Sequence, residues 1–301
     1  MIPEHLANIA WYAPHQAWLR QHGYYTAHYQ YGIEPSRADL TGADLTRAVL
    51  TDADLTGAVL TRAVLTRAVL TRAVLTRAVL TRAVLTRAVL TDAVLTDADL
   101  TRAVLTRAVL TRAVLTRAVL TDAVLTRAVL TRAVLTRAVL TDADLTDAVL
   151  TDADLTDAVL TRADLTGADL TDADLTGADL TRADLTGADL TRAVLTDADL
   201  TDAGKIPAIE NLDAKIIECI DNGGGLEMLR WHTCATTHCR AGWAITLAGK
   251  AGEKLEDRFG SAAAGALIYH KSTGRVPDFY ASNEEAMADM RECAVKQTAT
   301  V

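Results

Sequence analysis

Leucine recurs at every fifth residue from Leu40 to Leu200, and an alanine sits two residues before each one. Thr opens every unit except the first, where Ser36 stands, so residues 36–200 read T-X-A-Z-L 33 times without insertion or deletion. Variation is confined to X (18 Arg, 10 Asp, 5 Gly) and Z (20 Val, 13 Asp). A repeat this strict decides the architecture before any side-chain chemistry is considered.

An α-helix does not suit the pattern. Five residues at about 100° each turn the apolar pair by about 140° per unit, so no face collects the leucines. A helix of 165 residues is also far outside the normal range. A straight strand fails differently. Ala and Leu share one side of a strand, but five is odd, so the next pair would point the other way. Both conflicts vanish if the chain turns a corner once per unit. Ala and Leu then point inward, Z points outward, and Thr and X form the corner. Four corners close a square coil of 20 residues, and the 33 units make a little over eight coils, a rod about 40 Å long at about 4.8 Å per coil. The expected fold class is mainly β, a quadrilateral β-solenoid. Alternating Ala and Leu explains why no Phe, Tyr, Trp or Ile occurs between Ser36 and Leu200.

Tandem A(D/N)LXX units resemble the pentapeptide repeat family, and the resemblance covers residues 36–200. It implies a right-handed quadrilateral β-helix. The departure is at Z, where the family usually carries Asp or Asn and this chain has Val in 20 units. Some members are similar to B-form DNA in size and charge and occupy the DNA groove of DNA gyrase, so gyrase is a partner the resemblance implies. Near-identity of the TRAVL units points to recent duplication or a designed sequence.

The flanks differ in composition. Residues 1–35 hold Trp11, Trp18 and five tyrosines, with short helices expected over 4–21. An open first coil needs a cover, so 1–35 is read as an N-terminal cap. The solenoid is assigned to 36–203 and a small α-helical domain to 204–301, because Gly204 and Pro207 end the repeat. Helices are expected at Ile209–Asp221, Cys239–Ala248 and Lys254–Tyr269, and from a Ser282/Glu285 capping box to Gln297, with a turn at Asn222–Gly225. Within it, Trp231–Trp243 and the later ALIY (266–269) and DFYASNEEA (278–286) segments resemble a C-terminal extension found in phage and bacterial pentapeptide repeat proteins.

Charge adds an asymmetry. The whole chain carries −9, but residues 61–140 hold 13 Arg against 4 Asp (net +9), and 141–203 hold 3 Arg against 16 Asp (net −13). Four Cys, all after residue 218, are too few for a disulfide scaffold and fit a reducing cytoplasm. The N-terminus has neither a basic segment nor a long apolar run, so neither a leader nor a membrane span is expected.

Taking every fourth unit aligns Val49, Val69, Val89, Val109, Val129 and Val149, with Arg47, Arg67, Arg87, Arg107 and Arg127 beside them. The plain explanation is that Val suits a strand surface and Arg solvates a corner. The functional one is an interface, because a continuous apolar row differs from scattered residues. It would meet the acidic end of an antiparallel second copy, or another protein. Nucleic acid is disfavoured by the lack of interleaved aromatics and by net acidity. Asp at Z has a local use as an acceptor of backbone N–H at the corner. Units with Asp at both X and Z (Asp142/Asp144, Asp152/Asp154, Asp172/Asp174, Asp197/Asp199) exceed that need and form a candidate acidic patch.

One segment, Trp231–Trp243, concentrates His232, Cys234, His238 and Cys239. Four such ligands can hold zinc, but the spacing is not a finger pattern, and His238 and Cys239 are adjacent. A Cys nucleophile lacks a visible oxyanion loop or third group. The plain alternative is a packed turn entering a helix. No cofactor is expected. The sequence therefore points to a non-enzymatic binding or scaffold protein that acts through its charged faces, with the helical domain oligomerising or docking.

Overall fold

The structure, a computed structural model, describes residues 37–201, 206–228, 232–234 and 237–298. The cap expected over 1–35, with its helices, lies outside the described residues.

Each repeat unit turns one corner. Across Leu105-Thr106-Arg107-Ala108, the Ala108 N–H donates to the Leu105 carbonyl (2.8 Å), and Arg107 alone takes positive φ (58°). This is the type II β-turn pattern, which asks for a left-handed residue at its third position. The next three bonds run between coils. Val109 N–H donates to Ala88 (2.9 Å), Leu110 N–H to Val129 (2.7 Å) and Arg107 N–H to Thr126 (3.0 Å). Every Z residue bridges in parallel to the Z residue 20 positions away, from Asp39↔Val59 to Asp179↔Asp199. The coil therefore closes after four units, as the odd period requires. Each side contributes a single bridging residue and not a continuous strand, because the turn consumes the other four positions of the unit.

Ala and Leu fill the axis. From Ala58 to Leu195 every one is at most 3 % exposed. Fully burying a Leu side chain contributes roughly 1.5–3 kcal/mol, so the axis is the main source of stability.

Beyond the rod lies a helical region. It comprises α1 (Leu212–Asp221), β1 (Gly225–Leu226), β2 (His232–Cys234), β3 (Thr237–His238), α2 (Arg240–Leu247), α3 (Lys250–Phe259), α4 (Ser261–Thr273) and α5 (Asn283–Thr298). The three short strands form one sheet in the order β1-β3-β2. The expected helix Lys254–Tyr269 is two helices. Gly260 separates them at φ 82°, ψ 167°, a conformation nearly confined to glycine. The helix expected from Ile209 begins at Leu212, after Asn211 in the left-handed region. The capping box is present: Glu285 N–H donates to Ser282 Oγ (3.2 Å), and Ser282 N–H donates to Glu285 Oε2 (2.9 Å). α2 and α4 cross closely, since a Cβ on Gly265 would sit 2.4 Å from the Ala241 Cβ.

The helical region closes the last coil. Thr186 Oγ1 donates to the Arg258 carbonyl (2.8 Å), Tyr280 OH to Asp189 (2.8 Å), and Arg192 pairs with Asp278 (2.5 Å). Partial burial and the neighbouring Asp189 carboxylate push the Tyr280 hydroxyl up to about 12. No helix among the described residues is long and apolar enough to cross a membrane.

Candidate interaction surface

Every X residue of the repeats sits in the left-handed region, 28 as Arg or Asp and 5 as Gly. The 20-residue closure sorts them into four corner columns, and these differ in charge order. The column through 52, 72, 92, 112, 132, 152, 172 and 192 mixes signs. It forms the pairs Asp52–Arg72 (2.6 Å), Asp92–Arg112 (2.7 Å), Arg132–Asp152 (3.3 Å) and Asp172–Arg192 (2.5 Å). The Arg guanidinium hydrogen-bonded to each holds Asp52, Asp92 and Asp172 below the usual carboxylate range. The column through 47 is different. It stacks Arg47, Arg67, Arg87, Arg107 and Arg127, and only Arg127 reaches a described carboxylate, Asp147, at 3.1 Å. These exposed pairs contribute little stability individually, but their order sets the surface potential.

Between these two columns lies the expected valine row. The bridges Val49↔Val69↔Val89↔Val109↔Val129↔Val149 run unbroken and continue into Asp169 and Asp189. Val49 is 46 % exposed, and the other five valines are half-buried. The structure thus brings the eleven predicted Val and Arg positions to one face and its edge.

All thirteen Asp residues at Z accept the backbone N–H of the Thr two positions on, at 2.8–3.0 Å. That bond satisfies the one repeat N–H the coil leaves over. In Val units this N–H has no acceptor among the described residues. Several of these carboxylates also accept a Thr hydroxyl from the preceding coil, as Asp154 does from Thr136 (3.0 Å). Of the predicted acidic set, Asp144, Asp154, Asp174 and Asp199 all do this corner work. Asp142, Asp152 and Asp172 form ion pairs with Arg162, Arg132 and Arg192, and Asp197 has no ion pair among the described residues. The carboxylates still stack, with Asp144↔Asp164↔Asp184 on one face and Asp154↔Asp174 on another.

The Cys/His segment supplies no assembled site among the described residues, where no group of three His, Cys, Asp or Glu side chains converges. His232 and Cys234 lie on β2 and His238 on β3. Cys239 is 1 % exposed and caps α2, its sulfur accepting the Gly242 N–H at 3.3 Å. Burial pushes its thiol up, away from the reactive thiolate. His238 packs edge-on against Trp243, with ring centroids 4.7 Å apart.

A buried polar hub escaped the sequence reading. Arg240, 1 % exposed, donates to Asp213 (2.6 Å), to Tyr269 OH (2.9 Å) and to Asp289. Tyr269 OH donates in turn to Asp213 (3.0 Å), and Arg275 pairs with Asp289 (2.9 Å). Its members come from α1, α2, α4, the segment after α4 and α5, far apart in sequence, so no local motif announces it.

The pentapeptide repeats family matches in eight copies over residues 36–72, 68–107, 103–142, 138–177 and 173–203. No curated protein matches the chain in sequence. Among solved structures, HetL from the cyanobacterium Nostoc, a pentapeptide repeat protein involved in heterocyst differentiation regulation, is 36 % identical; the match covers 56 % of this chain and 85 % of HetL, with a TM-score of 0.44. A trypsin-treated variant of QnrB1, a plasmid-mediated fluoroquinolone resistance protein, is 21 % identical over 56 % of this chain and 84 % of its own, with a TM-score of 0.53. The latter likeness is one of fold, and with the family match it implies a right-handed β-helix. With more than half its residues in matched repeats and a coil that closes every four units, this chain belongs to the pentapeptide repeat family.

Proposed function

We propose that the chain is a non-enzymatic binding or scaffold protein whose partner is protein, met on the charged faces of the solenoid. The observation that carries this is the ladder Arg47–Arg67–Arg87–Arg107. It stacks like charges at coil spacing with no ion pair to a described residue, beside an unbroken valine row. Like charges about 5 Å apart repel, and an acidic partner relieves that cost. The valines add support. At the same position Asp makes a turn hydrogen bond in thirteen other units, so Val forgoes that bond and leaves an apolar row. The absence of aromatics from the repeats disfavours nucleic acid.

The test is solution mass by light scattering at about 50 mM salt, where screening is weak. The chain is measured alone and mixed with purified candidate proteins, and compared with a triple variant (Arg67→Gln, Arg87→Gln, Arg107→Gln). A complex that the triple variant loses supports the proposal. Monomer in every mixture removes it.

A second function is favoured by the acidic end, where carboxylates stack on all four faces after residue 141. It is the gyrase-directed DNA mimicry that the family resemblance implies. Purified chain would then inhibit supercoiling at micromolar concentration, less so after Asp152→Asn, Asp154→Asn, Asp172→Asn and Asp174→Asn together. Unchanged supercoiling ends this alternative.

A further inference from the structure

The order of charges along the valine face carries more than a general affinity for acidic protein. One edge of that face reads Asp92, Arg112, Arg132, Asp152, Asp172, Arg192 over six successive coils. Reversed, the series is Arg, Asp, Asp, Arg, Arg, Asp. Every position meets its opposite sign; the outermost, Arg192, is also held by Asp278 of its own helical region, so the inner pairs 112/172 and 132/152 carry the match. The column is complementary to itself under a half-turn whose axis passes between the coils of Val129 and Val149.

The other edge agrees. Over the same coils it reads Arg87, Arg107, Arg127, Asp147, Gly167, Gly187. The half-turn sets Arg127 against Asp147 of the second copy, and Arg107 and Arg87 against Gly167 and Gly187. The glycines present no side chain, and Arg107 then lies beside Asp169, which continues the valine row; Asp189 on the next coil is held by Tyr280 of its own helical region. At the centre Val129 meets Val149. No like charges oppose one another on either edge in this register.

Neighbouring registers fail. Moving the axis to the gap between the coils of Val109 and Val129 opposes Arg107 to Arg127, Arg112 to Arg132 and Asp92 to Asp152. Placing it on the coil of Val129 sets Arg127 and Arg132 each against itself. Like charges opposed across an interface cost several kcal/mol, so charge selects one register on this face.

We infer that the ligand of this face is a second copy of the chain, packed antiparallel as an isologous dimer with Val129 on Val149, Val109 facing Asp169, Arg112 opposite Asp172 and Arg132 opposite Asp152 of the partner. This rests on the proposed protein-binding role and names its partner. A two-fold interface requires a self-complementary patch, and this face has one. Each copy's first two coils then run alongside the other's helical region. Assembly offsets the basic middle of one rod with the acidic end of the other.

The test is a charge swap read by sedimentation equilibrium at about 50 mM and about 500 mM salt. Wild type should dimerise at low salt and weaken at high salt. Arg112→Asp and Asp172→Arg, made singly, should each weaken dimerisation by about tenfold or more. The double variant should return to within a few-fold of wild type. Residues 112 and 172 lie three coils apart in one chain, and their own ion pairs, with Asp92 and Arg192, are lost in the double variant too. Only an intermolecular contact therefore rescues. Singles without effect, or a double variant that stays dissociated, overturn the register while leaving charge-dependent protein binding intact. A monomeric wild type overturns the dimer, and the mixtures described above still decide the broader role.

Discussion

The Gly187 backbone N–H donates to the Phe259 carbonyl at 2.5 Å. Along the rod the residue at this repeat position gives its N–H to a Thr carbonyl of the next coil, as Gly177 does to Thr196 (2.8 Å). After the last coil there is no such Thr, and the C-terminal end of α3 supplies the acceptor. An uncovered coil end leaves backbone donors and apolar side chains open. Helix geometry here does the work of a missing ninth coil.

That junction predicts a sharp effect at Gly260. A Cβ there would lie 3.7 Å from the Gly187 backbone, which is ordinary contact, so space is not the difficulty. The dihedrals are, because φ 82° and ψ 167° lie in a region that residues with a Cβ avoid. Gly260→Ala should cost about 1–3 kcal/mol in urea unfolding. A change under about 0.5 kcal/mol, the size of an ordinary surface substitution, would show that the junction relaxes freely.

The corners predict an order of residue preference. Arg107 is held at φ 58°, where an ordinary side chain costs about 1–2 kcal/mol, Asn and Asp are tolerated and β-branched residues are outliers. Arg107→Asn should match or exceed wild-type stability, and Arg107→Val should lose about 2 kcal/mol. Thermal and urea unfolding of the two variants would expose the reverse order, which would mean that side-chain packing outweighs the backbone at this corner.

How much of this was legible beforehand depends on distance along the chain. Leu and Ala five apart dictate a corner per unit, and closure after four units follows without any long-range knowledge. Ser282 and Glu285 announced a helix start because a capping box is local. The helix predicted across Gly260 failed because apolar content is continuous there, and a backbone angle, not hydrophobicity, makes the break. The Arg240 hub gathers residues from 213, 269 and 289, and nothing in the neighbourhood of Arg240 marks it. The self-complementary order Asp92 to Arg192 is written at 20-residue intervals, so it has meaning only once the coil defines neighbours.

The hub makes its own prediction. Asp213 is fully buried, and Arg240 is its principal counter-charge. Arg240→Met should destabilise by about 3–5 kcal/mol, because it strands a buried carboxylate. Arg240→Lys should rescue poorly, since an ammonium cannot span Asp213, Tyr269 and Asp289 as the guanidinium fork does. Adding Asp213→Leu to Arg240→Met should recover part of the loss, giving a double-mutant cycle with strong coupling. Additive losses would mean that the two side chains act independently.

Acid stability tests the corner carboxylates. Partial burial lifts Asp144, Asp154 and Asp179, but the Thr N–H and hydroxyl donors around each outweigh it and hold the group below the usual range. A folded-state value below the unfolded one means that the unfolded chain takes up the proton first as pH falls. The stability these groups confer is therefore complete above the unfolded value near pH 4 and is lost as pH drops through the lower folded value. Melting temperature should be flat from about pH 7 to about pH 5 and should fall below about pH 4. Asp144→Asn, Asp154→Asn and Asp179→Asn together keep an oxygen for each Thr N–H while removing the titration. The triple variant should lose less stability between about pH 5 and about pH 3 than wild type does. Parallel pH profiles for the two proteins would show that acid acts elsewhere, and that the carboxyl oxygens hold their Thr N–H groups equally well when protonated.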